Sequence, residues 1–96
     1  MKARLVYWHK AKLQRRYILE MKIYEVHRSA YYRDGIRYRM ILIDPMTGRR
    51  VLMDNHHPKG PHVHLDSLEM PYNYIDEDQL VDDFKRWTFK HMEIEL

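Results

Sequence analysis

The chain contains no cysteine, so no disulfide and no thiolate metal site can belong to it. That suits a reducing compartment, and a cytoplasmic protein is the expectation. Its longest apolar runs are far too short to span a bilayer, and no signal-peptide pattern opens it. No membrane partner is therefore expected. Internal repeats and low-complexity segments are also missing. Ninety-six residues leave room for one modest core, so residues 1–96 are read as a single domain.

What is present is a globular composition, 45% apolar and 32% charged, with a formal net charge of +3. That small net charge conceals an asymmetry. Residues 1–50 carry 13 Lys/Arg against 4 Asp/Glu, whereas residues 51–96 carry 4 against 10. A basic half of this kind suits a polyanion or an acidic partner surface. It equally suits basic strands lying against an acidic helix of the same molecule, and one face can serve both ends.

Periodicity supplies the elements. Ala3–Trp8 alternates as a first strand, and the basic stretch His9–Arg16 reads as a turn or a solvated arm. Tyr17–Val26 is the clearest strand, with Tyr17, Leu19, Met21 and Ile23 on one face. Asp34-Gly35 is a hairpin-turn dipeptide ahead of a strand at Ile36–Ile43, whose apolar face carries Ile36, Tyr38, Met40 and Leu42. Arg37 and Arg39 lie on its other face. Asp44-Pro-Met-Thr-Gly48 makes a tight turn into a fourth strand, Arg49–Asp54. Asp66–Tyr74 reads as irregular. Asp76 then caps a helix with Gln79 three residues on, and Ile75 and Leu80 are spaced as a hydrophobic staple. Leu80, Val81, Phe84 and Trp87 form the stripe that would lie across the sheet. The expected fold is α+β: an antiparallel meander of about four to five strands with one C-terminal helix packed on it.

Between the fourth strand and the irregular stretch lies Asp54-Asn-His-His-Pro-Lys-Gly-Pro-His-Val-His-Leu-Asp66, which holds four of the seven histidines. Pro58, Gly60 and Pro61 break helix and central strand, so this is a shaped loop. His62-Val63-His64-Leu65 reads as a short extended piece after it. A period of two places His62 and His64 on one side and Val63 and Leu65 on the other. Two chemistries suit these residue types. With Asp54, and His56 or His57 nearby, the histidines suit a divalent metal, although no further ligand sits at a diagnostic spacing. Alternatively they suit acid–base cleavage of RNA, which needs a base on the ribose 2′-hydroxyl, an acid on the leaving oxygen, and cations around the phosphorane. His62, His64 and Lys59 have those chemistries, and Arg37 and Arg39 suit the flanking phosphates. The plain structural reading is a polar loop whose histidines cap backbone groups or face water.

Asp54-Asn55-x-x-x-Lys59-Gly60-x-His62-x-His64, followed by Glu69-x-Pro71-Tyr72-x-Tyr74 and Gln79-Leu80-x-x-Asp83-Phe84, resembles the TumE family of toxin–antitoxin proteins. The motifs cover roughly the second half of the chain, in order. The chain departs from that pattern at Pro61, where an acidic or amide residue is usual, and at Asp76, where a hydroxyl cap is usual. The resemblance implies a small toxin paired with a helix-turn-helix antitoxin, attacking RNA or translation. Joined to the loop chemistry, it leads to one expectation: a metal-independent ribonuclease needing no cofactor. In it, His62 and His64 form the acid–base pair, Lys59 clamps phosphate, Asp54 orients a histidine, and Arg37 and Arg39 bind nucleic acid. The rival is a non-catalytic module that uses the same basic face for nucleic acid or a partner protein. Both readings leave room for a homo-oligomer.

Overall fold

A computed structural model of the chain describes residues 3–96. Six strands follow one another as neighbours: β1 (Arg4–Leu13), β2 (Tyr17–Glu25), β3 (Ile36–Ile43), β4 (Arg50–Asp54), β5 (His62–Leu65) and β6 (Leu68–Pro71). Every pairing is antiparallel. One helix, α1 (Glu77–Met92), closes the fold. This is the expected α+β meander, with six strands in place of four to five.

Two of the differences have a local cause. The basic stretch His9–Leu13 is not an arm but the second half of β1, with His9 opposite Met21 and Lys12 opposite Ile18. The reversal after it is made by Gln14 and Arg15, both at positive φ (51° and 56°), and closed by Arg16 N–H donating to the Leu13 carbonyl at 2.9 Å. Neither residue type advertises that conformation, which usually falls to Gly, Asn or Asp. Leu68–Pro71 likewise is not irregular: Asp66 and Ser67 form a two-residue turn, and β6 pairs back on β5 as the last strand of the sheet. Pro71 is tolerated there because an edge strand can spare an N–H.

The alternating apolar residues do what their period requires. Leu19, Met21, Ile23, Ile36, Tyr38, Met40, Leu42, Val51, Met53 and Val63 form one buried cluster with Leu80, Phe84 and Ile94. Tyr17 and Trp87 pack at its margin. α1 starts where expected: Asp76 Oδ1 accepts from Gln79 N–H at 2.7 Å. The capping box is only half made, since the Gln79 amide turns instead to Asp83 Oδ1 at 2.9 Å. The staple is absent as well, because Ile75 stays 66% exposed while Leu80 is buried. Beyond Thr88 the helix continues to Met92, Glu93 caps it in the left-handed region (φ 57°), and Ile94 returns to the core. Among the described residues, no helix is long and apolar enough to cross a membrane.

With a single helix, only one face of the sheet is covered. Residues in the alternate register point away from it: Lys10, Lys22, Tyr24, Arg37, Arg39, Asp54, His62, His64 and Glu69.

Candidate active site

In an antiparallel ladder, directly opposite residues project from the same face. Asp54 at the end of β4 stands opposite His62 at the start of β5. On the other side of β4, Asp54 stands opposite Arg39. One pair along, His64 faces Glu69 of β6. Arg37 lies two residues from Arg39, opposite Tyr24 of β2. The register therefore brings Asp54, His62, His64, Arg37 and Arg39 to the open face.

The histidine loop is held by its backbone. Asn55 is buried, its Oδ1 accepting from Tyr38 N–H and its Nδ2 donating to the Ile36 carbonyl, both at 2.9 Å. Its side chain thereby extends the β3–β4 ladder by one more exchange. Gly60, at φ 76°, returns the chain by donating to the His56 carbonyl. The His57–Pro58 peptide is cis. His57 does not join the other histidines, because its ring lies on Tyr31 at 3.9 Å.

Five side chains meet at the site. His62 Nε2 lies 3.1 Å from Asp54 Oδ1 and 3.7 Å from Glu69 Oε1. His64 Nε2 lies 3.5 Å from the same Glu69 oxygen. The two imidazoles meet edge to face, with centroids 4.6 Å apart. Lys59 reaches over the loop and places Nζ 2.8 Å from Glu69 Oε1. That ion pair, and not a free ammonium, is what the loop presents.

The hydrogen bonds separate the two rings. His62 is buried, and its Nδ1 lies 2.7 Å from the Gly60 carbonyl, which can only accept. Its Nε2 faces Asp54, also an acceptor, so a ring donating from both nitrogens satisfies both partners. His64 is held below the ordinary histidine value, first by burial and then by repulsion from His62, against the pull of Glu69 and Asp54. Its neutral form is thereby favoured. Glu69 is held below the usual carboxylate range, chiefly by its hydrogen bond from Lys59.

Two hollows reach the Asp54–His62 pair, one at Asp54 and one at His62. One, of about 420 Å³, is lined by Lys22, Tyr24, Arg37, Arg39, Asp54 and His56. The other, of about 290 Å³, is lined by Lys59, Pro61, His62, Glu69 and Pro71. Among the described residues, neither Arg37 nor Arg39 is paired with a carboxylate, although Arg16, Lys22 and Arg49 are. Arg37 instead lies over the Tyr24 ring at 5.1 Å.

Glu69 is the residue of the cluster that loop chemistry missed. The signal was the spacing Leu65-Asp-Ser-Leu68: two apolar residues flanking a turn-forming pair imply a hairpin, and the hairpin puts Glu69 across from His64. Other motif residues have structural work. Tyr72 Oη donates to Asp83 Oδ2 at 2.5 Å and Gln79 donates to the other oxygen, tying the end of β6 to α1. Tyr74 stacks on Tyr38 at 5.9 Å. Asp66 accepts from Arg50 N–H and bonds the His91 ring at 2.9 Å, fastening the β5–β6 turn to the end of α1. Compared with known proteins, the chain matches no family model, no curated protein and no solved structure.

Proposed function

We propose that this chain cleaves RNA by general acid–base catalysis at His62 and His64, and that it acts as the toxin of a type II toxin–antitoxin pair. One observation carries the chemistry: two adjacent imidazoles in unlike settings, on an open sheet face that also bears unpaired arginines. His64, favoured as the neutral ring, takes the proton of a ribose 2′-hydroxyl. The 2′-oxygen attacks phosphorus, the bond to the 5′-oxygen breaks, and His62 supplies that leaving oxygen with a proton. The products are a 2′,3′-cyclic phosphate and a 5′-hydroxyl. The Gly60 carbonyl fixes the His62 ring through Nδ1, and Asp54, 3.1 Å from Nε2, orients that nitrogen until its proton passes to the leaving oxygen. Arg37 and Arg39 hold the flanking phosphates, and Lys59 swings from Glu69 to the phosphorane. No cofactor takes part in these steps.

The toxin role rests on the resemblance of the ordered motifs to the TumE family. It brings with it a cytoplasmic setting, a helix-turn-helix antitoxin as partner, and room for a homo-oligomer. The division of labour among the motif residues supports the reading: once Asn55, Tyr72, Tyr74, Gln79 and Asp83 are accounted for by the fold, what remains is the Asp54–Lys59–His62–His64–Glu69 cluster.

The test is cleavage of RNA by the purified chain in EDTA, with product ends identified. Alanine at His62 or His64 should lower turnover by about 10²–10⁴-fold, the usual worth of one general acid or base. A folded His62→Ala, His64→Ala double variant as active as the parent would refute the assignment. RNA binding without cleavage, weakening gradually as arginines are removed, would favour the non-catalytic module.

A further inference from the structure

We propose that His62, His64 and Glu69, completed by Asp54, form a binding site for one divalent transition-metal ion of the zinc class, and that its occupancy switches the cleavage site off. The second clause rests on the ribonuclease reading; the first does not.

The geometry carries the metal site. The ligand atoms of His62, His64 and Glu69 lie within 4.8 Å of one another. Zinc bonds to imidazole nitrogen and carboxylate oxygen of roughly 2.0–2.2 Å place tetrahedral ligands about 3.4 Å apart. Here Glu69 Oε1 stands 3.7 Å from His62 Nε2 and 3.5 Å from His64 Nε2, and Asp54 Oδ1 stands 3.1 Å from His62 Nε2. Three contacts are thus already close to the edge of a zinc tetrahedron. His62 also has the outer support that a metal-bound histidine usually carries: its Nδ1–H donates to the Gly60 carbonyl at 2.7 Å, leaving Nε2 aimed inward. Three of the ligands come from paired strands at fixed register, and the fourth closes β4, so the backbone holds the set together. Two imidazoles with carboxylates suit zinc and its d-block neighbours better than magnesium or calcium, which take oxygen.

The Lys59 ammonium occupies the Glu69 oxygen that the metal would use, at 2.8 Å. It therefore acts as a built-in competitor. The metal must displace Lys59 from that oxygen before it can take it. Once bound, it holds the Nε2 lone pairs of both rings. Neither ring can then accept or donate a proton there, and cleavage stops.

The experiment titrates the full 96-residue chain with Zn²⁺ by calorimetry, and with Co²⁺ by visible absorption. One equivalent should bind, with a tetrahedral Co²⁺ spectrum. His64→Ala and Glu69→Gln should each weaken binding by at least about 10-fold. Lys59→Ala should tighten it, and His27→Ala, a change at an exposed histidine, should leave it alone. RNA cleavage should fall as Zn²⁺ is added and return with EDTA. The metal site is overturned if Zn²⁺ fails to bind at micromolar concentration, or binds His64→Ala as well as the parent; cleavage in EDTA would then still stand. The switch is overturned if Zn²⁺ raises cleavage. It is overturned equally if one equivalent binds and the chain cleaves nothing with or without EDTA, a result that refutes the ribonuclease reading as well.

Discussion

The two faces of the sheet are made by the same strands and share almost no chemistry. On the covered face, Met40, Leu42, Val51, Met53 and Val63 alternate along β3, β4 and β5 and are almost wholly buried. On the other face, the residues between and beside them are Arg37, Arg39, Asp54, His62 and His64, set around two buried apolar residues, Ile41 and Leu52. The covered face is dictated by the energy of burial, roughly 25 cal/mol per Å² of apolar surface. The open face meets that demand only at Ile41 and Leu52, and the rest of it carries the charged and titratable groups of the candidate site. Because the strand period is two, slipping any strand by one residue would exchange the faces. The devices that fix register are therefore as necessary to the site as its histidines.

That contrast can be broken first on the covered side. Phe84→Ala empties the centre of the α1–sheet contact and should cost about 3–5 kcal/mol. Chemical denaturation should show the loss, and an unchanged midpoint would mean that α1 does not seat as described. Asn55→Ala attacks the register lock. It strands the Tyr38 N–H and the Ile36 carbonyl, at about 1–3 kcal/mol for each group left unsatisfied. The same change should loosen the histidine loop, seen as faster amide exchange around residues 55–61. Asp76→Ala removes the helix cap at a cost of about 0.5–2 kcal/mol, read from the same denaturation curves. The smallest stability change belongs to the open face: Arg39→Ala should move stability by no more than about 0.5 kcal/mol. It should nevertheless weaken RNA binding and reduce the salt slope by about one. A salt slope unchanged by Arg39→Ala would remove that arginine from the phosphate contacts.

Periodicity made the covered face legible in advance. Alternation alone assigns Leu19, Met21, Ile23, Tyr38, Met40 and Leu42 to the core, and the structure buries all of them. Leu80 and Phe84 followed from helical spacing, and Asp76 from its side-chain chemistry. The turn after β1 was not legible. Gln14 and Arg15 take a conformation that their side chains do not favour, so β1 looked shorter than it is. Asp66, at φ 57°, is by contrast a residue type that takes this conformation readily, so Asp66-Ser67 between Leu65 and Leu68 is a legible hairpin signal. At the site, the common side of His62 and His64 followed from a period of two, and Arg37 and Arg39 were correctly placed on the open face. That Asp54 meets a histidine is expected from the sequence, but which histidine, and the Lys59–Glu69 pair, depend on pairing across strands. Lys59 meets Glu69, and Asp54 meets His62, only once β4, β5 and β6 are in register.

The account's central claim is that His64 as base and His62 as acid cleave RNA on the open face. Its most direct test is the rate of RNA cleavage in EDTA against pH, for the parent and for His64→Ala, with the midpoint of unfolding measured on the same samples. Cleavage should rise as His64 loses its proton, along a limb displaced below the ordinary histidine value because burial and His62 hold that ring neutral. His64→Ala should abolish the rising limb and lower the rate by about 10²–10⁴-fold while the protein remains folded. A His64→Ala protein that is folded and keeps both the parent's rate and its rising limb would contradict the account.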